Sequence, residues 1–172
     1  VSLDEHIERA PCEDPTFILK VALCASRGLA AAAAAGVIHR DLQPANLLLY
    51  DGSGRVKVAG FGLASEAEAE GPGGMGTIHG TPAYMAPELV VASAEVDLRA
   101  DMYALGITLY EIATGEVPFI RSTVLETMRA HVRDVPPSVI EERVDFPQPV
   151  SELIDRLLRK RPEDRYASWG EV

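Results

Sequence analysis

Cysteine is scarce in this sequence. The two present, Cys12 and Cys24, have no metal-ligand spacing and are too few for a disulfide framework. Both are expected to be partly buried free thiols in a reducing compartment. Long apolar runs are also missing: no stretch reads as the roughly 18 residues needed to span a bilayer. The alanine run Ala30–Ala35 is too short and too weakly apolar for that. The first residues carry no signal-peptide pattern. Positive charge is in short supply, with 16 Lys and Arg against 26 Asp and Glu and a net charge of −10. That balance argues against binding a nucleic-acid backbone, which needs clustered Lys and Arg. There is no internal repeat and no linker. The 172 residues suit one domain with one core.

What is there reads mostly as helix. Asp14-Pro15 is an N-cap followed by proline at the first helical position. Apolar residues at 17, 18, 21, 24, 25 and 29 then predict a helix over Phe17–Ala35 with one buried face, stopped by Gly36. Ahead of it, Leu3 and Ile7 share a helical face within Val1–Arg9. No start signal precedes Val1, so the chain is expected to begin inside an element. Leu47–Tyr50 and Arg55–Ala59 predict two short strands joined by Asp51-Gly52-Ser53-Gly54, a hairpin turn. Residues 65–76 lack periodicity and read as a loop, and Thr77–Glu88 as an irregular, Pro-containing stretch. Leu98–Thr114 is apolar almost all round, which predicts a helix buried on most sides and ended by Gly115 and Pro118. Further helices are predicted over Ser122–Arg133 and Ser151–Lys160, with Pro147 and Pro149 bracketing an irregular stretch between them. The basic end Arg159-Lys160-Arg161 suits a helix C-terminus. Ser168–Val172 reads as the first turn of one more helix.

The chemistry-bearing residues concentrate between Val37 and Ala64. His39-Arg40-Asp41 is followed by Asn46, five residues after the Asp, and then by Gly60-Phe61-Gly62. A charged triplet alone is a weak signal. Four landmarks follow it in order: Gly80–Glu88 (GTPAYMAPE), Asp101–Gly106 (DMYALG), Thr114-Gly115 with Pro118-Phe119, and Arg161–Tyr166 (RPEDRY). Together, across nearly the whole chain, they resemble the C-terminal lobe of a eukaryotic-type (Hanks-type) serine/threonine protein kinase, in wording closest to bacterial members.

The resemblance implies a mainly α, kinase-like C-terminal lobe over residues 1–172, truncated at both ends, in which a short β-hairpin carries the catalytic and metal loops. It implies ATP and Mg2+ as cofactors and a protein substrate or scaffold partner. Asp41 stands where the family orients the substrate hydroxyl and accepts its proton. Thr81 stands where a side chain bonds that Asp, Asn46 where an amide holds magnesium, and Leu48 on the cofactor side. Arg40 implies an activation loop controlled by phosphorylation, with Thr77 as the acceptor. Glu88 and Arg165 match a buried ion pair, and Asp101 should accept hydrogen bonds from the backbone near His39 and Arg40. His39 and Phe61 are expected to pack in the core beneath the site.

Two departures fall on the phosphate side. Gly60 replaces the Asp of Asp-Phe-Gly and offers no side-chain oxygen to magnesium. Gln43 replaces a lysine and keeps donors without the cation. No G-x-G-x-x-G precedes His39, and Lys20 lies inside a predicted helix, so the family's N-terminal lobe is absent from this stretch. The chain alone is therefore expected to bind ATP poorly. Three readings remain: a kinase fragment impaired at the metal site, a pseudokinase acting as a binding or scaffolding module, and a small-molecule phosphotransferase. The last is disfavoured by Thr81–Glu88. The segment itself is expected in the cytoplasm without membrane contact, although a full-length protein of this kind is compatible with a membrane anchor elsewhere.

Overall fold

The order of elements follows from where the chain can cap and stop its helices. The computed structural model describes residues 1–10, 14–51, 53–63, 65–66, 80–91 and 96–172. Helix α1 (Leu3–Arg9) buries Leu3 and Ile7. In α2 (Pro15–Ala34) the Asp14 carboxylate accepts from the Thr16 and Phe17 N–H groups at 2.7 and 3.1 Å, and Pro15 opens the first turn. These bonds satisfy donors that the helix leaves unpaired. Phe17, Ile18, Val21, Ala22, Ala25 and Leu29 form its buried face.

Strands β1 (Val37–Ile38), β2 (Leu47–Leu49), β3 (Val56–Val58) and β4 (Ser65–Glu66) make two small antiparallel ladders, β1 with β4 and β2 with β3. The β2–β3 hairpin is the predicted one, shorter by a residue or two at each side; β1–β4 has no sequence signal. A bridge between Ser2 and Leu48 and a 2.8 Å bond from the Leu49 N–H to the Val1 carbonyl tie the chain start to β2.

Short α3 (Pro87–Val90) precedes α4 (Arg99–Thr114), which is buried almost all round and packs against α2 and α7 (Gln148–Leu157). At the α4–α7 crossing, a Cβ on Gly106 would come within 2.8 Å of Leu157 Cβ and 2.9 Å of Leu158 Cδ2. Only glycine lets the two helices approach so closely. α4 ends at Gly115, whose φ of 87° closes the C-cap. α5 (Val124–Arg133) starts two residues later than predicted because Thr123 caps it, its hydroxyl accepting from the Glu126 N–H at 3.2 Å. α6 (Val139–Glu142) is a single turn.

The main differences from expectation lie toward the C-terminus. Pro149 does not bracket an irregular stretch: it sits in the first turn of α7, where a missing N–H costs nothing. Residues 168–172 form turns rather than a helix, anchored by buried Trp169. α2 is, by length and composition, apolar enough to cross a membrane, contrary to the sequence expectation. In the structure it packs on α4 and β3 and keeps Lys20 and Arg27 outside. Cys24 is a half-buried free thiol on α2, while Cys12 lies outside the described residues.

Candidate functional site

The loop between β1 and β2 is held from below by one carboxylate. Asp101, on the first turn of α4, accepts from the His39 N–H at 2.8 Å through Oδ2 and from the Arg40 N–H at 2.8 Å through Oδ1. Burial pushes the Asp101 pKa above the usual carboxylate range, and these two N–H groups pull against that shift. Arg40 has φ of 64°, a left-handed backbone that costs a non-glycine residue about 1–2 kcal/mol. The Asp101 bond sits on that residue's own N–H.

His39 is fully buried. The Asp41 N–H reaches its Nδ1 at 3.3 Å, so Nδ1 is the acceptor and Nε2 donates to the Ala59 carbonyl at 2.7 Å. The Ala59 N–H in turn donates to the Asn46 carbonyl at 2.9 Å. The loop and the Gly60 turn thus form one unit. Phe61 stacks obliquely on His39, ring centroids 4.6 Å apart, yet is 40% exposed. That corrects the expectation of a core position: Phe61 packs on His39 at the surface.

Asp41 is the focus of side-chain bonding. Its Oδ1 accepts from the Thr81 N–H and hydroxyl, both at 3.1 Å. Its Oδ2 accepts from Gln43 Nε2 at 3.0 Å and Asn46 Nδ2 at 3.3 Å, and Asn46 Nδ2 also reaches the Asp41 carbonyl at 2.7 Å. Four neutral donors therefore surround one carboxylate. Gly80, with φ of 118°, permits the approach of Thr81, since a Cβ there would lie 3.2 Å from the Arg40 carbonyl. Sequence reasoning had Gly80 inside a motif without seeing that role; a glycine directly before Thr81 was the available signal.

Opposite Asp41, Gly60 has φ of 78°, and a Cβ built on it would overlap the Oδ1 and Cγ of Asn46. The Asn46 carboxamide fills the room a residue-60 side chain would need. Leu48, two residues beyond Asn46 on β2, is 44% exposed. A magnesium ion wants several hard oxygens in near-octahedral array. At this turn, among the described residues, the side-chain oxygen on offer is the neutral Asn46 Oδ1, and the Asp41 oxygens are already bonded. No cluster of three or more potential ligands occurs among the described residues. The residues present do not fit a resident magnesium ion.

Away from the loop, Arg165 pairs with Glu88 through two bonds, Nη1 to Oε1 at 2.6 Å and Nη2 to Oε2 at 2.9 Å. It also donates to the Arg159, Arg99 and Lys160 carbonyls at 2.8, 2.7 and 3.1 Å, so all five of its N–H groups are engaged. Both side chains are buried. This pair joins α3, the start of α4 and the segment after α7. Tyr84 donates its hydroxyl to Glu111 at 2.7 Å, a contact with no sequence signal. Neither had the cluster of buried Tyr103 and His131 with half-buried Lys160, in which the Tyr103 hydroxyl meets His131 Nδ1 at 3.0 Å and Lys160 donates to the His131 carbonyl at 2.8 Å. Burial, then the Lys160 charge, lowers the His131 pKa to about 4, and burial lowers that of Lys160 to about 8. His131, on α5, lies beside the backbone of Pro82 and Ala83, next to Thr81. Thr77 lies outside the described residues, so its relation to Arg40 stays an expectation.

Comparison with known proteins fits this geometry. A family described as the protein kinase domain matches residues 1–170. Serine/threonine-protein kinase Pkn1 of Myxococcus xanthus is 42% identical over 144 residues, 81% of this chain and 21% of Pkn1. PknL of Mycobacterium tuberculosis is 38% identical over 163 residues, 94% of this chain and 40% of PknL. PkaA of Streptomyces coelicolor is 40% identical over 141 residues, 80% of this chain and 25% of PkaA. The chain thus spans between a fifth and two fifths of the length of these relatives.

Proposed function

Because the chain belongs to the protein kinase family, we propose that residues 1–172 are the C-terminal lobe of a eukaryotic-type serine/threonine kinase domain, partial at both ends. The full-length protein would then transfer phosphate from ATP to a Ser or Thr hydroxyl of a protein substrate, with sequence outside this chain supplying the N-terminal lobe. The observation that carries this reading is the Asp41 carboxylate, fixed by Thr81, Asn46 and Gln43 above a loop pinned by Asp101. A carboxylate held in that way orients a hydroxyl and accepts its proton. Thr81 on the same oxygen sets the side from which the hydroxyl approaches. Leu48 would contact the nucleotide base, Arg40 and Thr77 would form the regulatory pair, and Glu88 and Arg165 keep the segment after Thr81 in place. The domain works in the cytoplasm under this reading.

A second reading has its own observation. Gly60 supplies no metal oxygen, Asn46 fills its space and Gln43 is neutral, which favours a pseudokinase that binds or scaffolds without transfer. Radiolabelled ATP and a panel of protein substrates, offered to the full-length protein, separate the two. The impaired-enzyme reading expects Gly60→Asp to raise transfer at least about tenfold, the low end of what losing even a residue that supports a metal ligand costs. Asp41→Asn in that background should abolish the gain. Silence of the Gly60→Asp protein would favour the binding module.

A further inference from the structure

We infer that a groove beside α5 docks an acidic peptide segment of a partner protein, with carboxylates set against Arg129 and Arg133 and an apolar side chain against Ile120. The groove, of about 600 Å³, lies between α5 and residues 120–122. That outer wall is fixed at two points. The Arg121 N–H donates to the Thr127 hydroxyl at 3.2 Å, and the Arg121 guanidinium pairs with Asp134 at 2.9 Å. Ile120 on this wall is nevertheless 69% exposed, and Val124 and Leu125 in the first turn of α5 are exposed as well. Apolar groups held in place and left in water mark a surface that another chain can cover.

Charge says what kind of chain. The protein carries a net −10, yet three arginines line this groove against two carboxylates, Glu126 and Asp134. Asp134 is taken by Arg121. Arg129 and Arg133 are exposed, one helical turn apart on one face, and neither forms an ion pair or side-chain hydrogen bond among the described residues. Glu126 lies three residues before Arg129 and two turns before Arg133, so it offsets the first in part and leaves the second whole. An arginine fork pairs with a carboxylate through two parallel N–H groups, which suits an acidic side chain on a short segment. An anionic membrane is a poorer match. It is met by clusters of roughly four to eight Lys and Arg, and a strongly negative chain is repelled from it. The inner face of α5, with Met128 and His131, packs on α3 and on the turn Pro82–Tyr84 that follows Thr81. The helix that holds the partner therefore also braces the segment bonded to Asp41. Such a groove serves a transferring enzyme and a binding module alike.

Fluorescence anisotropy on the full-length protein tests this with labelled peptides that carry Asp and Glu around one Leu at varied spacings. Their counterparts have Asn and Gln in place of the acids. The tightest acidic peptide is expected to bind about fivefold or more better than its counterpart, which two exposed charge pairs supply. That margin should close in about 1 M salt, where the screening length falls to about 3 Å. Arg129→Gln with Arg133→Gln should remove the margin, and Ile120→Ser should weaken both peptides severalfold. Arg27→Gln, at an exposed arginine on α2, should change neither. An unaltered urea midpoint checks that each surface variant still folds. Equal binding of acidic and amide peptides overturns the inference, as does an acidic preference that survives loss of both arginines. Binding to phosphatidylserine vesicles that needs Arg129 and Arg133, without any peptide preference, overturns it in favour of a membrane contact.

Discussion

On one side of the His39–Asn46 loop two buried charges are fully matched: Asp101 takes two backbone N–H groups and Arg165 uses all five of its own. On the other side the groups are half exposed and bonded mainly to each other, the neutral amides of Gln43 and Asn46 donating to the Asp41 carboxylate, with Gly60 leaving a space that Asn46 fills. On the first side the loss of one partner is costly, because it strands a buried charge. The second can change with little penalty to the fold, since its groups keep access to water. The two sides of the loop are therefore separable under mutation: the side chains around Asp41 can be altered with the Asp101 and Arg165 contacts kept.

That contrast can be broken most forcefully at Arg165. Arg165→Met strands the Glu88 carboxylate in the core, and we expect a loss of about 3–5 kcal/mol in urea unfolding. A loss under 1 kcal/mol would mean that the pair is not the anchor described. A smaller effect is expected from acid. Folded His131 has a pKa near 4 against 6.5 unfolded, so the unfolded chain binds the extra proton first. Stability is held above pH 6.5 and lost as pH falls toward 4, by about 2 kcal/mol between pH 7 and pH 5. His131→Gln, which keeps an acceptor for Tyr103, should flatten that slope relative to the parent protein; an unchanged slope would assign it to other groups. The smallest effect is expected on the exposed side. Gln43→Ala removes one amide from a half-buried carboxylate and should cost about 1 kcal/mol or less by the same unfolding measurement.

Much of the first side was legible in the sequence and less of the second. Asp14-Pro15, Gly36 and Gly115 announce helix ends by local chemistry, so α2 and α4 are found within a residue or two. Asp101, Glu88 and Arg165 were named by resemblance, and their partners lie 62 and 77 residues away, beyond anything periodicity reports. Pro149 misled because proline stops a helix in its interior and is welcome in its first turn. Phe61 misled because the resemblance placed it in the core with His39, whereas it touches His39 and stays 40% exposed. The two-residue β1–β4 pairing and the Tyr103–His131–Lys160 cluster are made by tertiary approach alone. No local pattern encodes them. The closing of the residue-60 space by Asn46 belongs with these, since a missing side chain does not say which neighbour takes its room.

The Glu88–Arg165 pair also bears on how the chain is made. Its partners are 77 residues apart, so at ribosomal speeds of about 5–20 residues per second Glu88 is synthesised roughly 4 to 15 s before Arg165. Throughout that interval the charge that will be buried has no partner, and water is its best environment. The segment carrying Thr81 and α3 therefore gains its buried ion pair only after Arg165 has been synthesised. Docking of that segment waits until Arg165 has been made.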